Sequence, residues 1–426
     1  MKVFWTIGFL FFTQSGFAQG PKVLTLDECI QIALRQNPEV ALSKLSVRQA
    51  EDTYVFSKQN QWPTATSNVS QSVFGGRSID PFSNTFVQQS ITSNAFGLGV
   101  NVPVFNGFSV KNQIEQNRLL AEVSKQNLAG QLKIIKIETI RAYFQVVLAL
   151  DLQRIQADQI DEVQSQRLIL QEKIKEGIAS AIQLKELDAQ LSNLAFEALE
   201  LRQSLQQAQL NLAQIMGYSE NKEIQVEKPR FVHREPTGSV AKHPILKAFQ
   251  FRMMESNIGL ATARATAYPR VSLGAGLNTA YSSAASGDIS YWNQLNFNFN
   301  QFANLSISIP LFNSSQTKQK VAQAQIQIDV VKKEWEKEHL RLKQEVERLR
   351  LEIQILGKKV QQAQENQRIQ QEIYGAIKER FSEGMVSLLE LNAYRLTTEK
   401  AASVMIRTEA DLAFKKQVLQ TFLEEE

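Results

Sequence analysis

The sequence predicts a chain of mixed class, transmembrane β-strands joined to very long α-helices, built twice in tandem. Three observations carry that prediction. "VPVFNG" at residues 102–107 returns as "IPLFNS" at 309–314, placing Pro103 and Pro310 207 residues apart. The segments before both phrases alternate apolar and uncharged polar residues with a period of two, the mark of strands with one dry and one wet face. The segments after them, 108–175 and 314–381, each run 68 residues without a proline. At 1.5 Å per residue such a helix is about 100 Å long.

The chain opens with Met1 and Lys2, then the apolar run "VFWTIGFLFF", then small residues at Gly16 and Ala18. That is the pattern of a cleavable secretory signal over residues 1–18. The only cysteine, Cys29, lies well inside the mature chain, so neither a lipid anchor nor an intrachain disulfide is expected. After Gly20 no apolar stretch approaches the ~20 residues of a membrane helix.

Each repeat, 19–217 and 241–426, is expected to read helix, strand pair, long helix, turn, return helix. "NPEV" at Asn37 matches "HPIL" at His243, and the prolines Pro38 and Pro244 suit the first helical position. The first such helix should run to about Gln61, where Pro63 ends it. Strands follow at about 64–75 and 94–105, and again at about 270–281 and 295–310. In the last, Leu295, Phe297, Phe299, Leu305, Ile307 and Ile309 share one parity; Asn296, Asn298, Asn300, Asn304, Ser306 and Ser308 take the other. Phe302 breaks the alternation and is expected at an aromatic interface girdle. Uncharged Asn, Ser and Gly on one face and Phe, Leu and Ile on the other fit a membrane barrel better than a soluble sandwich.

Long helices 108–175 and 314–381 come next, then return helices 181–215 and 386–423. Leu184, Leu187, Leu191 and Leu194 begin a coiled-coil seam in one; Leu342, Val346, Leu349 and Ile353 mark one in the second copy. A return helix stacked on a Pro38-type helix would nearly match one long helix in height. Between the repeats lies a linker, 218–240. Pro103 and Pro310 are expected to end strand pairing, and Asn106 and Asn313 to cap the helices that follow.

Inside lipid every backbone group must be bonded, so four strands with open edges need partners. Two copies would give eight strands and a filled barrel; three would give twelve and room for a lumen. The net charge of +4 is too small to argue for nucleic acid. Three scattered histidines, no phosphate loop and no nucleophile elbow argue against an enzyme, a metal centre or a bound cofactor.

With those residues in view the chain resembles the TolC-type outer membrane efflux family over essentially all of its mature length. The resemblance implies a homotrimer with a twelve-stranded outer-membrane barrel, continued by a long helical tunnel in the periplasm. An equatorial band would be built from the mature N-terminus, the linker and the C-terminal end. It implies passive export, with a periplasmic adaptor (membrane fusion protein) and an inner-membrane pump as partners. The alternative is a periplasmic structural coiled coil without a pore.

Two hairpin tips stand out. "EGIASAIQL" places Ser180 three residues after Gly177, and "EGMVSLLEL" places Ser387 three after Gly384. Glycine suits a left-handed helix stop and serine an N-cap. The resemblance makes Gly177, Ser180, Gly384 and Ser387 part of an adaptor-docking surface. It also makes Glu390 a periplasmic gate residue, three copies forming a carboxylate ring. Family members that latch their two hairpins use a tyrosine, an arginine and an acid where this chain has Phe381, Val386 and Gln183. The second gate acid of some members is here Ala393. A gate held by packing or by a different bond is therefore expected.

Overall fold

The computed structural model describes residues 23–79, 84–218, 224–229, 238–284, 289–312 and 315–424. The signal segment 1–18, Asn313 and much of the linker lie outside them. The first repeat comprises β1 (Val23–Leu24), α1 (Leu26–Gln36), α2 (Pro38–Ser57), β2 (Thr64–Phe74), β3 (Arg77–Ile79), β4 (Phe86–Gln88), β5 (Ile91–Asn106), α3 (Ser109–Lys175) and α4 (Ala181–Ile215). After β6 (Gln225–Val226), the second comprises α5 (Pro244–Ala265), β7 (Arg270–Ser282), α6 (Tyr291–Phe297), β8 (Asn300–Ser308), α7 (Gln316–Ser382) and α8 (Leu388–Leu423). Among the described residues no helix is long and apolar enough to cross a membrane.

The four long strands form one antiparallel sheet in the order β2-β5-β7-β8, joining the repeats through β5 and β7. Directly opposed residues share a face. Val69, Phe96 and Thr279 lie in one row, Leu98 and Leu277 in the next, and Val102, Leu273 and Leu305 in another. The opposite face carries Asn68, Gly97, Asn278 and Asn300, then Thr66, Gly99, Gly276 and Phe302. The apolar face is bare: Val69 is 70% exposed and Leu305 63%. Among the described residues β2 and β8 each have a strand on one side only.

Four local expectations need correction. The helix expected to reach Gln61 ends at Ser57 and tightens into a 3₁₀ turn over Lys58–Gln61. The strand expected at 295–310 is instead α6 followed by β8, with Leu295 and Phe297 in the helix. Phe302 is not in a girdle; its ring lies across Gly276, where an added Cβ would meet it at 2.6 Å. Pro103 does not end the ladder, since it pairs with Ser272 and β5 continues to Asn106 after a bulge at Val104. β2 has already ended opposite Asn101, so Pro103 has a neighbour on one side alone, where a residue without an N–H is tolerated. Pro310, by contrast, follows the end of β8 at Ser308.

In the helical part, α4 and α2 stack end to end beside α3. Asn37 is the hinge pin: its Oδ1 accepts the Glu39 N–H at 2.8 Å, and its Nδ2 donates to the Ile215 carbonyl at 2.7 Å. One side chain thus serves a free helix start and a free helix end. Gly217, at φ +78°, lies so close to Gln36 O that a Cβ would stand 2.4 Å away. In the second repeat His243 takes the Asn37 role, its Nδ1 accepting the Ile245 N–H at 3.4 Å and its ring lying against Phe422.

A narrow belt crosses the middle of α3. β1 pairs in parallel with β6, and the Tyr143 hydroxyl is within hydrogen-bond reach of both Leu24 O and Glu227 O. Lys133 donates to the carbonyl of Glu424, and Lys136 pairs with its carboxylate. Chain start, linker and chain end therefore meet along the middle of α3. Cys29 is fully buried there, and desolvation pushes its thiol up to about 12.

Candidate functional site

The two hairpin tips are built alike. Gly177 and Gly384 sit at φ +77° and +79°, and a Cβ added to either would meet nothing within 4 Å, so backbone conformation alone calls for glycine. The Gly177 N–H returns to Ile174 O and the Ile178 N–H to Lys173 O; Gly384 and Met385 do the same with Phe381 O and Arg380 O. These are Schellman-type closures. Ser180 Oγ accepts the Ile182 N–H, and Gln183 Oε1 accepts the Ser180 N–H, completing a capping box. Ser387 Oγ accepts the Glu390 N–H at 3.2 Å. Glu390 stands exposed in the first turn of α8, where the helix dipole favours its charge.

The sequence pattern did not reveal what else the tips share. Ile178 and Met385 follow the two glycines, Ile182 and Leu389 lie four residues further on, and all four are exposed. Ile178 is 71% exposed and Leu389 79%, values no folding requirement explains. Repeat register would have found these pairs.

Between the hairpins, Phe381 and Val386 pack against an apolar cluster centred on Leu187, Leu388 and Leu391, which also takes in Val163, Leu170 and Ile377. Gln183 is engaged in its own cap. A cavity of about 140 Å³ lined by Leu170, Leu187, Phe381, Leu388 and Leu391 leaves this packing incomplete. Polar bonds supplement it elsewhere. Glu162 on α3 accepts from the Tyr374 hydroxyl at 2.7 Å and from Lys378 Nζ at 2.8 Å, both on α7. Burial pushes the Glu162 carboxyl up, but those two bonds outweigh it and hold it below the usual carboxylate range. Desolvation and the Glu162 bond raise the Tyr374 hydroxyl. Deeper in, buried Arg395 pairs with Glu399. Desolvation lifts Glu399 to about 7 against the pull of Arg395, helped by the charges of Glu162 and Glu197. Tyr374 and Lys378 are one helical turn apart, but their acid lies more than 200 residues earlier, so no spacing rule could announce the pair.

At the strand-to-helix joint, Asn106 Oδ1 accepts the Val110 N–H at 3.3 Å, reaching past Gly107 and Phe108 into the first turn of α3. Both of those residues have left-handed backbones, at φ +65°. Gly107 is held to glycine by Ala265 O, 2.8 Å from an added Cβ.

A bare apolar sheet, paired long hairpins and capped tips can now be set beside known proteins. The chain is 22% identical over 301 residues to a cation efflux system protein, CusC, of Escherichia coli O6:H1, covering 67% of this chain. It spans 61% of the length of that relative. Its fold matches the CmeC outer membrane channel of Campylobacter jejuni with a TM-score of 0.79 at 17% identity, covering 93% of this chain and 85% of that one. It also matches the open-state MtrE outer membrane channel of Neisseria gonorrhoeae, at 0.76 and 17%, over 93% and 88%. The sequence profile described as "outer membrane efflux protein" fits residues 29–218 and 239–423, and its two segments coincide with the duplication. The chain belongs to the outer membrane efflux protein family.

Proposed function

We propose that three copies of this chain close a twelve-stranded barrel in the outer membrane and continue it as a helical tunnel in the periplasm. The assembly is the passive exit duct of a tripartite efflux or type I secretion system. One observation carries the reading: a four-stranded sheet with a bare apolar face and one-sided outer strands. The open strand edges cannot stand in hydrocarbon and the bare face cannot stand in water; identical sheets joined edge to edge within lipid satisfy both. The chain reaches its membrane through the signal at 1–18.

The test is fractionation. The protein should enter the outer-membrane fraction, require detergent, and run as a trimer. A water-soluble monomer with its strands intact would overturn the duct and favour the structural coiled coil.

The tips engage a periplasmic adaptor linked to an inner-membrane pump. The paired exposed residues Ile178, Ile182, Met385 and Leu389 support this, surrounding the caps of Ser180 and Ser387. Cysteines at positions 180 and 387 should cross-link to a periplasmic partner in cells; repeated absence of any adduct would remove the docking role. Glu390 forms the gate ring, and Glu390→Gln should weaken cation preference in bilayer conductance. Unchanged ion selectivity would take it out of the gate. The name of one relative, the cation efflux system protein CusC, makes a cation one candidate cargo, but the uncharged Asn, Ser and Gly of the sheet's polar face leave selection to the pump.

A further inference from the structure

β7 extends beyond the strand beside it. The last pairing with β8 is Asn278 with Asn300, so among the described residues no strand lies beside 279–282 on that side. α6 stands there instead. Its Asn298 end cap donates from Nδ2 to Ala280 O at 2.7 Å, and its buried Gln294 accepts the Ser282 N–H at Oε1, 3.0 Å away. Side chains of a helix thus satisfy backbone groups that a longer β8 would have bonded. An edge without such partners could not lie at membrane depth.

α6 also leans to one side of the sheet. Thr279 and Tyr281 continue the row parity of Leu273 and Leu277, and Asn94 that of Phe96 and Leu98. These are positions on the apolar face. The Thr279 hydroxyl donates to Leu295 O. The Tyr291 ring lies 4.6 Å from that of Tyr281, and its hydroxyl accepts from Asn94 Nδ2 at 3.2 Å. The helix therefore covers the polar residues at the top of the apolar face. Tyr291, Gln294 and Leu295 turn inward, while Trp292 is 76% exposed and Phe297 71%, beside exposed Asn293 and Asn296.

At the other end of the same strands Phe105, Phe108 and Tyr268 form a second aromatic group, with ring centres 5.2 and 6.2 Å apart. From Arg270 to Thr279 a tilted strand climbs about 25 Å along a barrel axis, the height of an outward apolar band. Large aromatic rings among asparagines, at that height, match the headgroup boundary rather than hydrocarbon or open water.

We propose that α6 is a lipid-contacting element of the outer rim. It closes the edge of β7 with Gln294 and Asn298, and it inserts Trp292 and Phe297 at the headgroup boundary of the outer leaflet. The inference rests on the reading that the apolar face of the sheet meets hydrocarbon.

The experiment uses the full mature chain in phospholipid vesicles, with Trp62 and Trp335 replaced by phenylalanine so that Trp292 alone reports. Lipids brominated near the headgroup should quench Trp292 about twofold more than lipids brominated at the chain ends. Quenching by aqueous iodide alone would place α6 in water or in the pore and overturn the proposal. Protection from both kinds of quencher would mean that a neighbouring copy covers it, and would overturn the proposal equally. A second variant, Leu305→Trp with Trp292→Phe, reports on the bare face below, in the row of Leu273. If deep bromine quenches it while Trp292 sees only iodide, α6 is misassigned and the barrel stands. If it escapes every lipid quencher, the barrel reading falls as well.

Discussion

α3 and α7 are copies of one helix, 67 residues each, yet they live in different surroundings. α3 buries seventeen side chains and packs against α1, α2, α4, α5 and α8; α7 buries seven and packs against α5 and α8. The divergence can be followed at a register of 207. Ile135, Ala142 and Val146 of α3 correspond to Leu342, Leu349 and Ile353 of α7, so the seam is kept. Ile140 and Tyr143, both at 0% exposure, correspond to Glu347 and Arg350, which pair on the surface of α7 at 2.9 Å. A duplicated helix kept its inner seam and rewrote its other faces. On α7 those faces still carry exposed Ile326, Val330, Leu351 and Ile355 among the charges. Apolar surface on that scale is what a second copy of the chain would cover.

The largest expected effect sets burial in one helix against exposure in the other. Ile140→Asp places a carboxylate among apolar side chains of α1, α3 and α8, and should cost several kcal/mol, about enough to prevent folding. The double change Leu351→Asp with Ile355→Asp should leave the helical circular dichroism of the monomer intact but abolish the trimer on a native gel. A trimer that survives would show that this face of α7 meets water and not another protomer.

Next in size is Tyr143→Phe. It removes the hydroxyl that ties α3 to Leu24 O and Glu227 O and should lower stability by about 1–2 kcal/mol in denaturant melts. Arg350→Ala, at the matching position of α7, should change it by less than about 0.5 kcal/mol. Equal costs would contradict the unequal roles of the two helices.

A third contrast concerns pH. Asn37 does not titrate, but burial, with Lys133 nearby, pushes His243 down from 6.5 to about 4. The fold prefers the neutral ring, which caps α5. Stability from this group is full above pH 6.5 and is lost as pH falls towards 4. His243→Asn, copying the first repeat, should flatten the melting temperature over that window. Glu399 at the other end has the opposite sign. Lifted from 4.5 to about 7 chiefly by desolvation, it favours the fold at low pH and weakens it as pH rises from 4.5 through 7. Hydrogen exchange across about pH 4–8 should therefore show the His243 region loosening in acid while the hairpin end tightens. Parallel responses at both ends would remove one of the two assignments.

The smallest effect expected concerns the serine caps. Ser180→Ala and Ser387→Ala should each cost about 1 kcal/mol of local stability, read by exchange at the tips, with Ser180 the larger because its capping box is complete.

Much of this could be read in the chain because its signals are local. Proline, glycine and capping residues act through their own backbone torsions, so the two tips, the starts at Pro38 and Pro244, and the long uninterrupted helices follow from residue type and spacing. Period-two alternation likewise places Phe96, Leu98 and Val102 on one face, with Gly97, Gly99 and Asn101 on the other, from spacing alone. It misled at residues 295–299, where Leu, Asn, Phe, Asn, Phe alternates as a strand would. There the competing signal was Ser290, whose Oγ caps Asn293, and the decisive one was the unbonded edge of β7, which sequence does not display.

What the sequence determined by itself was periodicity, punctuation and the duplication, because each is a property of neighbours along the chain. Tertiary structure alone decided the rest. Glu162 finds Tyr374 and Lys378, Asn37 finds Ile215, Gln294 finds Ser282, and Phe302 finds the gap over Gly276. The physical reason is common to all four. A buried donor, acceptor or void is satisfied by whatever the fold brings within about 3 Å, and that proximity is set by packing, not by distance in sequence.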